Sequence, residues 1–121
     1  MNIYRERLLD HYQNPRNMGK LDNTNLTATN ENISCGDNIT VYLKVKNKII
    51  VDIKYEVEGC AVCIASASLL SEYIIGKSVT DIKNLSIEQM IDLIGIEITP
   101  SRIKCASLSL MSVKSALQKS T

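Results

Sequence analysis

Residues 37–60 read "DNITVYLKVKNKIIVDIKYEVEGC", and this stretch decides the fold. Apolar and polar side chains alternate from Ile39 to Val45 and again from Val51 to Val57, on either side of the turn sequence "KNK". Alternation of this kind is typical of strands that are buried on one face, so the stretch predicts an antiparallel hairpin. The apolar face of that hairpin must be covered by another layer of the molecule.

The residues before the hairpin predict one helix and a polar connection. A short helix is favoured over residues 3–12, because four apolar residues there suit one side of a helix: Ile3, Leu8, Leu9 and Tyr12. The sequence "NPRNMG" ends this helix, and the only histidine, His11, is expected on its surface. Residues 20–34 are polar and rich in Asn and Thr, which is compatible with a loop or with one edge strand.

The residues after the hairpin predict the helices that cover it. A buried helix follows Gly59 and ends at Gly76, and Ser86 with Gln89 forms a capping box for a second one. A last helix starts near Pro100, with Leu108, Met111 and Leu117 among its apolar positions. The order of helix, strands and helices predicts an α+β fold. We expect a small antiparallel sheet of two to three strands, covered by helices on one face, in one domain spanning residues 1–121.

The composition excludes several classes of partner. The chain has 14 basic and 13 acidic residues, so it lacks the positive field that recruits nucleic acid or an anionic membrane. No stretch reaches the roughly 18 consecutive apolar residues of a membrane span, and the N-terminal residues lack a secretory pattern. We therefore expect a cytoplasmic protein with no nucleic-acid or membrane partner, whose four cysteines are held as thiols.

Three of the four cysteines lie at the predicted ends of elements. Cys35 precedes the hairpin, Cys60 follows it at the start of a helix, and Cys105 lies in the first turns of the last helix. A hairpin returns to its starting edge, so Cys35 and Cys60 should emerge together, and the last helix can bring Cys105 beside them. Thiolates that converge in this way need a cation or a cluster between them. The arrangement predicts a metal site that is open to solvent.

Asp37 is the predicted fourth ligand of this site. It lies two residues after Cys35, and Gly36 lets the backbone bend so that both side chains face one centre. A carboxylate oxygen binds iron more weakly than a thiolate does but suits zinc. A permanent electron-transfer cluster uses four cysteines, so three thiolates and one oxygen indicate transient holding. Taken alone, Asp37 also suits a turn or a helix cap.

The fourth cysteine, Cys63, fits a different interpretation. A cysteine among Ala and Ile residues is commonly a small buried side chain. "CAVC" also has the spacing of dithiol oxidoreductases, although those motifs usually open a helix in a βαβ unit rather than after a hairpin. Lys104 is expected to be a surface charge. A purely structural zinc domain is a further alternative for the whole chain.

At these motifs the sequence resembles the IscU/NifU-type family of iron–sulfur cluster assembly scaffolds. The resemblance covers nearly the whole chain through four segments in order: "YRERLLDHYQNPRNMG", "CGD", "GCAVCIASASLLSE" and "RIKCASLSLMSVKSAL". It implies that persulfide sulfur from a cysteine desulfurase meets iron on the chain to form a transient [2Fe-2S] cluster, which passes to apo-proteins. By position, it implies that Cys35, Cys60 and Cys105 are the cluster thiolates, that Asp37 keeps the cluster labile, and that zinc binds at the same site.

Two positions depart from the common scaffold pattern. Lys104 replaces the histidine that many scaffolds have before the third cysteine, as in the SufU-like branch, whose members are zinc-bound sulfur acceptors. The insertion that SufU-like members carry before that cysteine is absent here. The segment "EITPSRIK" replaces the stretch that binds a dedicated Hsp70-type chaperone, so the resemblance does not extend to that partner.

Overall fold

The computed structural model describes residues 3–22, 24–32 and 36–120. Its architecture is α+β: one helix, a three-stranded antiparallel sheet, and then the remaining helices, as the sequence predicts. The elements are α1 (Ile3–Gln13), β1 (Leu26–Asn32), β2 (Asp37–Lys46), β3 (Ile49–Glu58), α2 (Ala61–Ile74), α3 (Val79–Lys83), α4 (Ile87–Ile94) and α5 (Ile103–Leu117), with short 3₁₀ turns at Pro100–Arg102 and Gln118–Ser120.

The hairpin of β2 and β3 forms around a two-residue turn. Asn47 and Lys48 both have positive φ, at 53° and 64°, which gives the turn the twist that a tight antiparallel hairpin needs. The pairing shifts register between Lys44 and Val45, so β3 contains an extra residue near its start. The predicted alternation is therefore wrong at Val51, which is exposed, while Ile50 takes the buried position.

Other segments of the chain pair with both edges of the hairpin. β1 pairs antiparallel with β2 over its whole length, which decides between the loop and the edge strand that the sequence allowed for residues 20–34. On the other side, the main chain after α1 pairs with β3. Tyr55 N–H donates to Asn17 O over 3.2 Å, and Gly19 N–H donates to Tyr55 O over 2.8 Å. These contacts hold the end of α1 against the sheet.

Helices cover one face of the sheet, and α5 is the central one. It packs against β1, β2 and α2, and ten of its residues are buried, among them Ser107, Ser109 and Ser112. These small side chains let α5 lie close to its neighbours. Leu108 and Leu117 are buried as predicted, whereas Met111 lies on the exposed side of α5 and is 45% exposed.

Helix α4 has the predicted capping box. Gln89 N–H donates to the Ser86 hydroxyl over 3.1 Å, and Ser86 N–H donates to the Gln89 side chain over 2.8 Å. Gly95 ends the helix with φ of 83°. Across the residues that the structure describes, no helix is long and apolar enough to cross a bilayer.

The prediction for α1 is wrong in two respects. Ile3, Leu9 and Tyr12 are exposed, so the apolar side of the helix is not its buried side. His11, which was expected on the surface, is only 4% exposed. The physical reason is a polar contact with α2: His11 Nδ1 lies 2.7 Å from the Ser68 hydroxyl, and His11 Nε2 lies 3.3 Å from a Glu72 carboxylate oxygen.

Candidate metal centre

Three of the four predicted ligand residues lie together in the structure. One ligand atom from each of Asp37, Cys60 and Cys105 lies within 4.8 Å of the other two. The three residues come from three separate elements, since Asp37 begins β2, Cys60 precedes α2 and Cys105 is the third residue of α5. The fourth predicted ligand, Cys35, lies outside the described residues.

Local backbone geometry brings these elements to one end of the sheet. Gly36 has φ of +72°, a conformation that favours glycine, and it turns the chain into β2. Asn38 pairs with Glu58 in the hairpin, so the start of β2 and the end of β3 are neighbours. Cys60 then occupies the N-cap position of α2, with an extended backbone at φ −74° and ψ 169°. The structure thus brings Asp37 and Cys60 to the same end of the hairpin, whereas the predicted meeting of Cys35 with Cys60 lies outside the described residues.

A hydrogen bond joins Asp37 directly to the start of α2. Cys60 N–H donates to Asp37 Oδ1 over 3.1 Å. This contact requires the glycine between them, because a Cβ added at Gly59 would lie 2.7 Å from Asp37 Oδ1 and 2.9 Å from Asp37 Cγ. The sequence indicated only that Gly59 breaks β3. Gly59 also leaves room for the Asp37 carboxylate, and this second role depends on tertiary structure.

The second oxygen of Asp37 fits a metal ligand. Asp37 is only 2% exposed, and among the described residues its Oδ2 has no hydrogen-bond partner. A buried carboxylate oxygen without a partner is costly, and a cation held with the Cys60 and Cys105 sulfurs would supply one. Two thiol groups and a carboxylate form a donor set that suits zinc or iron. The residues present therefore fit a metal ion or a cluster.

Access to this group is narrower than the sequence suggested. Cys105 is 0% exposed and Asp37 is almost fully buried, whereas Cys60 is partly exposed. The expectation of a site open to solvent is therefore wrong for Asp37 and Cys105, which are buried at the start of β2 and in the first turn of α5. Among these three, Cys60 is the group that an incoming molecule can reach.

Arg102 is a residue beside the candidate site that the sequence reasoning missed. It ends the 3₁₀ turn before α5, and its guanidinium interacts with the thiols of Cys60 and Cys105. Its hydrogen bond to Cys60 is the largest cause that raises the pKa of Arg102 above its ordinary value, and Cys105 acts in the same direction. The available signal was its position three residues before Cys105, within a segment already assigned to the site.

Comparison with known proteins identifies the family. A profile of the NifU-like N terminal domain matches residues 3–120. The chain belongs to this family. Its relatives include the iron-sulfur cluster assembly scaffold protein IscU of Thermotoga maritima, at 35% identity over 97% of this chain and 94% of that protein. They also include the zinc-dependent sulfurtransferase SufU of Bacillus subtilis, at 35% identity over 97% of this chain and 90% of that protein.

A solved structure agrees with this assignment. A Fervidobacterium islandicum protein, described as a candidate iron-sulfur cluster assembly scaffold for the SUF system, superposes with a TM-score of 0.77 at 28% identity. The match covers 93% of this chain and 94% of that one. Resemblance to the IscU and SufU scaffolds, first seen in four motifs, is thus confirmed over nearly the whole chain.

Chain length does not separate the two branches of the family. The alignment with SufU spans 134 positions and that with the Thermotoga IscU spans 133, both more than the 121 residues of this chain. Both relatives therefore have residues for which this chain has no counterpart. An insertion relative to this chain is not a property of SufU alone.

Proposed function

We propose that this protein is a scaffold for iron–sulfur cluster assembly. In this proposal it receives persulfide sulfur and iron, holds a labile [2Fe-2S] cluster on Cys35, Asp37, Cys60 and Cys105, and passes the cluster to apo-proteins. The observation that carries the proposal is the meeting of Asp37, Cys60 and Cys105 within 4.8 Å, with a buried carboxylate oxygen that lacks a partner among the described residues.

The combination of thiolate and carboxylate ligands supports a cluster that is bound transiently and then released. Thiolates bind iron and copper(I) strongly, while a carboxylate oxygen is a harder and weaker partner for the same ions. The Asp37 carboxylate is also held by the Cys60 N–H, so one of its oxygens is already occupied. A cluster with one weak ligand exchanges that ligand first. This supports transfer of the cluster rather than permanent electron transfer.

The surroundings of Cys60 support delivery of sulfur from outside. Cys60 is partly exposed at the N-terminus of α2, where the helix dipole favours negative charge. The Arg102 guanidinium adds a positive charge next to it. An anionic persulfide donor, such as the active-site loop of a cysteine desulfurase, would therefore be attracted to this end of the molecule. The desulfurase and the apo-protein clients are the partners that we propose.

A zinc-dependent sulfur transfer protein is the second candidate. The specific observation that favours it is Lys104, because an ammonium group has no lone pair to give a metal. The Bacillus subtilis SufU is as similar to this chain as the Thermotoga IscU is, at 35% identity. The same four residues would then hold zinc, for which an oxygen donor is a normal ligand. In this candidate, zinc would hold these side chains in place, one of the three thiols would accept the sulfur, and the protein would stimulate its desulfurase.

Anaerobic reconstitution distinguishes the two candidates. The metal-free protein is incubated with a cysteine desulfurase, cysteine, ferrous iron and a reductant, and its visible spectrum is followed. A scaffold develops the absorption of a [2Fe-2S] centre, and Cys60→Ser and Cys105→Ser do not. If no such absorption develops, and a parallel sample given zinc in place of iron binds the zinc and accumulates a protein persulfide, the sulfur transfer function is correct and the scaffold proposal is wrong.

A further inference from the structure

The two cysteines of the motif "CAVC" lie at the start of α2. Cys60 is the N-cap of this helix and Ala61 its first residue, so Cys63 is the third helical residue, N3. The side chains at N-cap and N3 are neighbours, which is why they form reciprocal contacts in a capping box. Helix α4 shows this contact in the same protein, between Ser86 and Gln89. Cys60 and Cys63 occupy the same two positions of α2.

The two thiols differ in access. Cys60 is partly exposed, whereas Cys63 is 1% exposed and packs into the hydrophobic core. The first turn that connects them is formed, since Ile64 N–H donates to Cys60 O over 3.1 Å. An outer thiol that meets an incoming molecule and an inner thiol one turn away is the arrangement of a dithiol couple.

We propose that Cys63 is a resolving thiol that discharges a persulfide carried on Cys60, releasing sulfide and leaving a Cys60–Cys63 disulfide. This inference rests on the proposed delivery of persulfide sulfur to the chain. It gives the protein an activity beyond holding a cluster, namely reduction of persulfide sulfur. It also assigns a function to the cysteine that the metal site does not use.

The chemistry balances without an added oxidant. The Cys63 sulfur attacks Cys60 Sγ, and the proton of the Cys63 thiol passes to the outer sulfur of the persulfide anion. The S–S bond of the persulfide breaks, and the outer sulfur leaves as HS⁻ with the bonding electron pair. The Cys60 and Cys63 sulfurs supply the two electrons that reduce sulfane sulfur to sulfide, and they end as a disulfide. A dithiol reductant must then reduce this disulfide before the next sulfur is accepted.

This reaction would produce sulfide at the place where the cluster is proposed to assemble. A cluster contains sulfide, whereas a persulfide delivers sulfur at the oxidation level of the element, so two electrons are needed for each sulfur. The Cys60–Cys63 couple would provide them next to Asp37 and Cys105, where the iron is proposed to bind. A metal ion bound to Cys60 would block the reaction, because the Cys60 thiolate could not then accept sulfur.

The test uses glutathione persulfide on the reduced, metal-free, full-length chain under anaerobic conditions. We expect the wild type to release sulfide and to lose 2 Da in intact mass, with a Cys60–Cys63 disulfide in the peptide map. Cys63→Ala, which keeps a small apolar side chain in the core, is expected to release sulfide at least tenfold more slowly and to accumulate a persulfide adduct of +32 Da. Equal sulfide release by the two proteins would overturn the inference.

A second measurement does not depend on sulfur delivery. The wild type and a Cys35→Ser/Cys105→Ser double variant are equilibrated in glutathione redox buffers, and both are expected to form the Cys60–Cys63 disulfide. If these thiols stay reduced even in the most oxidising of these buffers, the inference is wrong even if the scaffold function holds. If Cys63→Ala reconstitutes a cluster normally, the scaffold proposal survives that result. Failure of every variant to accept sulfur would instead contradict both.

Discussion

Asp37 Oδ1 accepts a hydrogen bond from the main-chain N–H of Cys60 over 3.1 Å, and this contact ties the first residue of β2 to the start of α2. The two residues are 23 positions apart and are separated by the whole hairpin. Their contact fixes one proposed ligand against another before any metal binds. Preorganisation of this kind lowers the cost of binding.

The space beside Gly59 gives the first prediction. Gly59→Ala places a Cβ against the Asp37 carboxylate, so the carboxylate must move away from Cys60. We expect a loss of ~1–3 kcal/mol in the free energy of unfolding, as for other overpacked sites, and a weaker affinity for zinc. Competition with a chelator measures the affinity. Gly76→Ala is the control, because no atom of the described residues lies within 4 Å of its added Cβ, although its φ of +90° carries a backbone cost. Unchanged zinc affinity in Gly59→Ala would contradict the assigned role of this glycine.

Asp37 itself gives the second prediction. Asp37→Ala removes the easily exchanged oxygen donor, so we expect a reconstituted cluster to persist longer and to transfer more slowly to an apo-ferredoxin. Decay of the visible absorption and the rate of transfer are the two readouts. Asp52→Ala, on β3, is a control for the loss of one carboxylate. A cluster that decays faster in Asp37→Ala than in the wild type would show that Asp37 does not act as the labile ligand.

Arg102 gives the third prediction. Because its guanidinium interacts with the Cys60 and Cys105 thiols, Arg102→Gln should slow the uptake of sulfur from an anionic persulfide donor several-fold and reduce the salt dependence of that rate. Arg102→Lys should restore part of the rate. Lys46→Gln, an exposed change at the far end of the hairpin, should have no effect. Equal rates in Arg102→Gln and Lys46→Gln would exclude an electrostatic role for Arg102.

His11 gives the fourth prediction, which concerns pH. Burial lowers the pKa of His11 below its ordinary value of 6.5, while the nearby Glu72 acts in the opposite direction. In the unfolded chain the histidine takes up a proton at a higher pH than in the folded protein. The stability is therefore complete above pH 6.5 and falls as the pH drops towards the folded pKa. Urea unfolding of the wild type between pH 7.5 and 5 should show this loss, and His11→Gln should show less of it. Parallel curves would contradict the prediction.

Metal removal gives the fifth prediction. The core is formed by the sheet, α2 and α5, and most of its residues lie away from the proposed ligands. We therefore expect the chelated protein to keep its circular dichroism and a cooperative thermal transition. Its Tm should be lower, since a ligand present at 100 times its Kd contributes about 2.7 kcal/mol. A chelated protein without a cooperative transition would instead support a structural zinc domain.

Local sequence signals predicted the hairpin and the capping box correctly because each depends on neighbouring residues. Alternation specified β2, and Ser86 with Gln89 specified the start of α4. The bulge that exposes Val51 was not predicted, since a register shift depends on how two strands pair. The burial of His11 was missed for a similar reason. Its partners, Ser68 and Glu72, are more than 50 residues away on α2.

At the candidate site, too, local features were predicted and features that depend on tertiary contacts were not. The return of a hairpin to its own edge predicts that Cys35 and Cys60 emerge together, and Asp37 follows Cys35 by two residues; the structure places Asp37 in contact with Cys60. The approach of Cys105 followed from its place at the start of the last helix. Arg102 and the space beside Gly59 were not predicted, because charge and close packing around a ligand depend on several elements together.

Metal and acid-labile sulfide analysis of the anaerobically purified protein tests the central claim most directly. The account predicts iron and sulfide in equal amounts, and their joint loss when Cys60 or Cys105 is replaced by Ser. Stoichiometric zinc without any sulfide, before and after reconstitution, would contradict the claim that this chain assembles clusters.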